Sequence, residues 1–391
     1  MDTQIEFYDK DVIKNILGVI SLRPEKVVFI YDKELKDMTV FHGLMKCYQK
    51  RVPNMILEKY PVDILDIDNI YQKLSEVMER NEHCVIDLTG GSELMTIAGF
   101  KAGSEKNVEM IYTDIIQGRI MDIRDKNHVR KAQRLTLEDF IDAKGACLIG
   151  NSHVVPPQER FEDILAMCRI LFEHIKQWKE TCGFIQVAMA NTSAHELHLC
   201  TKWSKRFMPS EDLLYAFQRF GFIKNLELTK AHIRFDFTTE RAKQYLINYG
   251  VWLELFVYIN AKKSGRFDDV LLGAMIDWNA YDGITVAGNE IDVILSENSL
   301  PVFISCKLRD VDTAAINELV IAKKRLGGWF SKSIIVSFGN DKRNKTGTYK
   351  RAQEMGVEIL DKSDILSEDF SQRLVDTIRG HDLVSLKWKK V

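Results

Sequence analysis

Long hydrophobic runs are missing from this chain. None approaches the roughly 18 apolar residues that suggest a membrane-spanning helix, and the start, MDTQIEFYDKD, lacks the basic-then-apolar pattern of a secretory signal. The expectation is a cytoplasmic protein with no membrane partner. Paired cysteine motifs are missing too. The seven cysteines (Cys47, Cys84, Cys147, Cys168, Cys182, Cys200 and Cys306) are scattered with no CxxC, which argues against a zinc knuckle or a disulfide framework. The net charge of −2 gives no global pull on nucleic acid, so any such surface must be a local cluster. Neither GxGxxG nor a Walker P-loop occurs, so NAD binding and ATP hydrolysis have no direct support.

What is present is an ordinary globular composition, 46% apolar and 28% charged, spread over 391 residues. That length suggests two or three domains. Through residue 125, short β-rich runs alternate with amphipathic ones: IEFY, VVFIY, CVIDL and VEMIYTDI are strands, separated by helical segments. Such alternation predicts an α/β unit with a parallel sheet covered on both faces, and QGRIMDI returning after Gly118 as an antiparallel ribbon. Between 126 and 157 the pattern dissolves into HVRKAQR, GNSH and PP, which reads as a connector. The stretch 160–240 offers a helix with an apolar stripe, then SEDLLYAFQRFG followed by the strands FIKNLEL and HIRFDF, a winged-helix-like order. A helix from Glu240 to about Lys262 opens a second α/β unit with strands GAMIDW, GNEIDVIL, LPVFISCKL, SIIVSF and VEIL. The expected division is 1–145, 146–240 and 241–391.

The informative stretch of the first unit is CVIDL-TGGSELMTIAGF. Asp87 closes a buried strand, Thr89-Gly90-Gly91 turns, and Ser92 opens a helix. Glycines let backbone N–H groups approach a ligand, and the helix N-terminus favours phosphate. Beyond the carboxyl edge of an open parallel sheet is also where ligands sit, and the loops at Asp9-Lys10 and Tyr31 share that edge. A tight strand-to-helix turn with no ligand is an equally open reading of the same residues.

DLTGG in this position resembles the CRISPR-associated Rossmann-fold (CARF) sensors, over roughly residues 1–125. The resemblance implies a homodimer binding cyclic oligoadenylate, often cyclic tetra-adenylate, as allosteric activator. Thr89, Gly90, Gly91 and Ser92 would then contact the ligand, with Asp9, Lys10 and Tyr31 beside them. Many members continue with Thr-Lys; here Ser92-Glu93 follows.

In GNEIDVIL the two-residue period puts Glu290 and Asp292 on one strand face. LPVFISCKL does the same for Ser305 and Lys307, and a hairpin of the two strands would set Asp292 beside Lys307. Upstream, Glu254 sits among apolar neighbours in GVWLELFVYI, a costly place for a carboxylate unless it meets a cation. Asp292, Glu254 and the Cys306 backbone carbonyl offer an oxygen set suited to Mg²⁺ or Mn²⁺. A plain Asp–Lys pair across two strands remains the alternative at this point.

The same segments resemble the PD-(D/E)xK restriction-endonuclease-like family. That resemblance implies metal-dependent phosphodiester hydrolysis, with Asp292 and Glu254 on the metal and Lys307 as the catalytic cation. Where the family carries an acidic residue two before the lysine, this chain has Ser305, so the motif reads D…SxK. Sensor and nuclease motifs in one chain look like the CARF nuclease effectors of type III CRISPR defence, which cleave DNA, RNA or both. The rival reading is a ligand-responsive transcription regulator with a degenerate nuclease site; a third is a sensor that only cleaves its cyclic ligand. Two further clusters carry less. DKRNKTGTYKR offers Lys342, Arg343, Lys345, Lys350 and Arg351 to a phosphate backbone, and KRLGGWF (324–330) reads as a helix cap.

Overall fold

In a computed structural model, the chain is described over residues 3–125, 127–204, 206–283, 289–339 and 347–385, with side chains up to residue 380. The first sheet contains β1 (Thr3–Phe7), β2 (Lys26–Asp32), β3 (Ile56–Val62), β4 (Cys84–Asp87), β5 (Glu109–Asp114), β6 (Arg119–Asp122) and β7 (Val129–Lys131). Its order is β3-β2-β1-β4-β5-β6-β7. The first five strands run parallel, and β6 and β7 return antiparallel. The expected parallel sheet and antiparallel ribbon are therefore present, and Gly118, at φ 60°, makes the turn between β5 and β6. Strand order reverses between β1 and β4, so the loops after those two strands open a crevice at the carboxyl edge.

Residues 147–151, assigned to a connector by composition, instead form β8 (Cys147–Asn151) at the edge of the C-terminal sheet. Next come helices Phe161–Glu173 and Ile175–Met189, then β9 (His198–Lys202), helix Glu211–Arg219, β10 (Ile223–Leu228) and β11 (His232–Phe237). These strands make a small antiparallel sheet ordered β10-β11-β9, which gives the helix-then-ribbon arrangement expected of this stretch. Ser210 caps its helix by accepting a bond from the Leu213 amide. The one helix expected from Glu240 to about Lys262 is two, Glu240–Ile247 and Val251–Ser264. The Asn248 side chain, accepting from the Gly250 and Val251 amides, separates them.

The last sheet adds β12 (Asp269–Asp277), β13 (Asn289–Glu297), β14 (Leu300–Lys307), β15 (Lys332–Ser337) and β16 (Glu358–Leu360), in the order β16-β15-β14-β13-β12-β8. Strands β8, β12, β13 and β14 are antiparallel neighbours, whereas β14, β15 and β16 are parallel. Helix Val251–Ser264 crosses one face, and its first nine residues are all buried. Among the described residues, no helix is long and apolar enough to cross a membrane.

Candidate active site and ligand cavity

Strands β13 and β14 are joined at Asn298-Ser299, both with positive φ (52° and 67°), the backbone a two-residue hairpin turn requires. The pairing of Val293 with Ile304 then carries Asp292 next to Ser305 and Lys307. Asp292 Oδ2 accepts from the Cys306 amide at 2.6 Å and from Ser305 Oγ at 3.2 Å, with Lys307 Nζ 3.5 Å away. Three donors on one oxygen fix the carboxylate's direction. They leave its other oxygen for a cation or substrate. The Cys306 thiol points into the apolar core, and burial pushes its pKa well up.

Glu254 reaches the same place from its helix and is only 9% exposed. Burial holds its pKa up, against the lowering effect of His153, and the nearby charges of Asp292 and Glu290 push it further in the same direction. His153, just past β8, stands 3.1 Å from Glu254 Oε2 and 3.6 Å from Glu290 Oε1. Its contact with Glu254 raises the imidazole pKa against the opposing effect of burial. Ser152 Oγ donates to Glu290 Oε1. Donor atoms of His153, Glu254 and Glu290 lie within 4.8 Å of one another. Glu254 Oε2 is buried without an aligned hydrogen bond among the described residues. A buried carboxylate oxygen of Glu254, the Glu290 carboxylate and an imidazole within reach of one another fit a divalent cation.

His153 was not legible in the sequence, where GNSH looks like connector. It arrives because β8 pairs with β12, and the Ser152 amide donates to the Gly273 carbonyl at 2.8 Å. Gly273, at φ 56°, permits this approach, since a side chain there would strike Ser152 Oγ. The cleft beside these groups, about 340 Å³, is lined by Glu290, Asp292, Ser305, Lys307 and also Glu318. Glu318 is an acid on helix Thr313–Ala322 that the motif did not single out. Of the basic cluster, Lys342, Arg343 and Lys345 lie outside the described residues. Lys350 and Arg351 are exposed on helix Gly347–Glu354, Lys350 being 3.9 Å from Glu354.

At the first sheet's crevice, the Gly-Gly turn is shaped by β1. A Cβ at Gly90 would meet the Phe7 carbonyl at 2.5 Å, and one at Gly91 (φ 81°) the Phe7 Cβ at 2.6 Å. The glycines are thus required by packing, whether or not a ligand binds. The Thr89 hydroxyl is engaged within the turn: it donates to Asp87 Oδ1 and accepts from the Thr113 amide at 2.8 Å. Ser92 caps helix Glu93–Glu105. A cavity of about 820 Å³ brings together Asp9, Lys10, Gly91 and Ser92. Tyr31 does not line it; its ring packs against Phe41, centroids 6.1 Å apart.

Beneath the turn, Glu6 and Asp87 are fully buried. Burial raises the pKa of Asp87 to about 6. Burial and the Asp87 charge raise that of Glu6 as well.

Comparison with known families decides the two folds. Residues 9–140 match the family model described as the Card1 CARF domain, and residues 240–377 the one described as the Card1-like endonuclease domain. The chain belongs to the Card1-like CARF endonucleases. Solved structures agree over nearly its whole length. Protein VC1899 from Vibrio cholerae superposes with TM-score 0.79 at 16% identity, covering 97% of this chain and 98% of its own. Can2 from Sulfobacillus thermosulfidooxidans, solved with cyclic tetra-adenylate, gives 0.70 at 17%, covering 97% and 99%. A type III CRISPR defence DNA nuclease activated by cyclic oligoadenylate gives 0.53 at 12%, covering 95% of this chain and 51% of that one. No curated protein matches in sequence. In this CARF endonuclease, the Asp292–Lys307 cleft lies within the stretch that matches the endonuclease model.

Proposed function

We propose that the chain is a cyclic oligoadenylate-activated, metal-dependent nuclease of type III CRISPR defence, with cyclic tetra-adenylate as activator. The observation carrying this reading is a cleft lined by Asp292, Glu290 and Lys307, with Glu254 beside it through His153, which stands 3.1 Å from Glu254 and 3.6 Å from Glu290, in a chain whose other end is a CARF domain. Asp292 and Glu254 would hold the metal, with Glu290 and His153 completing the set and the Cys306 carbonyl as a further oxygen. When bound, Mg²⁺ or Mn²⁺ supplies a lowered pKa for attacking water and charge neutralisation at the phosphate. The chain's own groups orient the reactants. The Cys306 amide and Ser305 hydroxyl keep Asp292 fixed, and Lys307 presents a positive charge to the anionic phosphate.

Ser305 supplies a hydroxyl where the family pattern has a carboxylate, and Glu290 and Glu318, lining the same cleft, would supply negative charge in its place. The activator would bind across a homodimer axis at the Gly91-Ser92 turn. Ile97 and Phe100 stand 54% and 49% exposed on the helix that follows, an apolar surface that a second copy would cover. Ligand binding would favour the arrangement of the dimer in which the nuclease clefts act.

The test incubates labelled plasmid, single-stranded DNA and RNA with the full chain and Mn²⁺, with and without cyclic tetra-adenylate. Cleavage that needs the cyclic ligand and falls at least a hundredfold in Lys307→Ala is expected. Silence from the parent and from Ser305→Glu, together with ligand-dependent binding to a DNA duplex, would instead select the regulator reading.

A further inference from the structure

The cavity at the CARF turn is not built by the CARF domain alone. Lys324 and Arg325, far along the chain in the endonuclease domain, line the same cavity as Gly91 and Ser92. They lie on the turn Lys323–Gly327, where helix Thr313–Ala322 widens to the π-helical spacing often found at functional sites. Both side chains are exposed, and neither makes an ion pair among the described residues; Arg325 lies over the Trp278 ring at 5.5 Å. A helix cap accounts for the glycines that follow them but not for two solvated cations aimed at a ligand cavity.

Charge makes the case stronger. Around the cavity, the segment up to residue 145 presents four carboxylates, Asp9 and three acids between residues 32 and 37, against Lys10, Lys36 and Lys144. Alone, that lining repels an anion. Lys324 and Arg325 turn the balance to five bases against four acids.

The turn is also fastened to the loop after β1. The Trp329 amide, two residues past it, donates to Asp11 Oδ2 at 2.9 Å. Gly328, at φ 69°, is necessary there because any Cβ would overlap the Asp11 carboxylate. On its other side, Leu326 is buried in one cluster with Phe303 of β14 and with Leu319. Leu319 and Ala322 of the preceding helix line the cleft of Asp292 and Lys307.

We propose that Lys324 and Arg325 pair with phosphates of the bound cyclic nucleotide, so that the endonuclease domain itself contacts the activator. The ligand would then draw on the Lys323–Gly327 turn, and through Leu326 and Phe303 on the strand that ends in Lys307. This inference rests on the proposed sensor function and names a second half of its ligand site.

The experiment measures cyclic tetra-adenylate binding to the full-length protein by titration calorimetry, at two salt concentrations. The parent, the double variant Lys324→Ala/Arg325→Ala and the charge-keeping Lys324→Arg/Arg325→Lys are compared, with thermal melts confirming equal folding. A charge-assisted contact to phosphate is worth about tenfold in affinity. The double alanine variant is therefore expected to bind at least tenfold more weakly, with a shallower salt dependence, while the charge-keeping pair stays within about threefold of the parent. A folded alanine variant that binds like a binding-competent parent overturns the inference alone. So does loss of cleavage with ligand affinity intact, which would assign the pair to substrate. A parent that binds no cyclic tetra-adenylate overturns the sensor function, and this inference with it.

Discussion

Replacing Ser305 by Glu should make the nuclease unit less stable without metal and tighter for metal. Ser305 Oγ lies 3.2 Å from Asp292 Oδ2 and faces the cleft that holds Glu290 and Glu318. A glutamate carboxylate there would sit on the order of 5 Å from Asp292. At an effective dielectric constant of about 20, two like charges at that distance repel by roughly 3 kcal/mol. The cleft is open to solvent and salt, so about 1 kcal/mol is the fair expectation, and the lost hydroxyl donor adds about another. A cost of about 2 kcal/mol lowers the melting transition of a unit of this size by roughly 5 °C in EDTA. Mn²⁺ reverses the sign, because the added carboxylate becomes a hard ligand. Affinity should rise about tenfold or more, read from the shift of the melt with Mn²⁺ concentration. Cleavage should rise with it. Equal melting in EDTA together with unchanged Mn²⁺ affinity would refute the placement of residue 305 at the metal.

The other expectations follow from the same geometry. His153→Gln should weaken Mn²⁺ binding by about tenfold, measured by calorimetry without substrate, since an imidazole donor beside Glu254 is lost. Asp87→Asn should flatten the pH dependence of the sensor's melting between pH 4 and 7. In the folded chain Asp87 titrates near 6, above its ordinary 3.8. Its stabilising contribution is therefore complete below about pH 4 and lost as pH rises through 6. A parent and variant with the same slope by calorimetric scanning would show that the Glu6–Asp87 pair is not the cause. Gly91→Ala should destabilise the sensor by about 1–3 kcal/mol, because φ is 81° and the new Cβ meets Phe7; chemical denaturation measures it.

Most of the fold was legible because periodicity is local. Alternating strands and helices of the first unit, the ribbon after Gly118 and the β13–β14 hairpin each announce themselves within a few residues. Strands β7 and β8 did not: VRK and CLIGN are three and five residues long and not buried, too short to carry a pattern to read. Helix Val251–Ser264 was found but not separated from its neighbour, since its break comes from the Asn248 side chain rather than from Pro or a run of Gly.

The sequence by itself put Asp292 and Lys307 on facing positions of two successive strands through their two-residue period, and the Asn298-Ser299 turn of the structure sets the register that joins them. The sequence also determined a Gly-Gly turn at the carboxyl edge of a parallel sheet. Only the tertiary structure decided that His153 meets Glu254 a hundred residues away, and that Trp329 and Asp11 close the seam beside Lys324 and Arg325. Those meetings depend on which edge of a sheet a distant strand joins and on how two domains pack. Both are set by the summed burial of many residues, so no short window of sequence contains them.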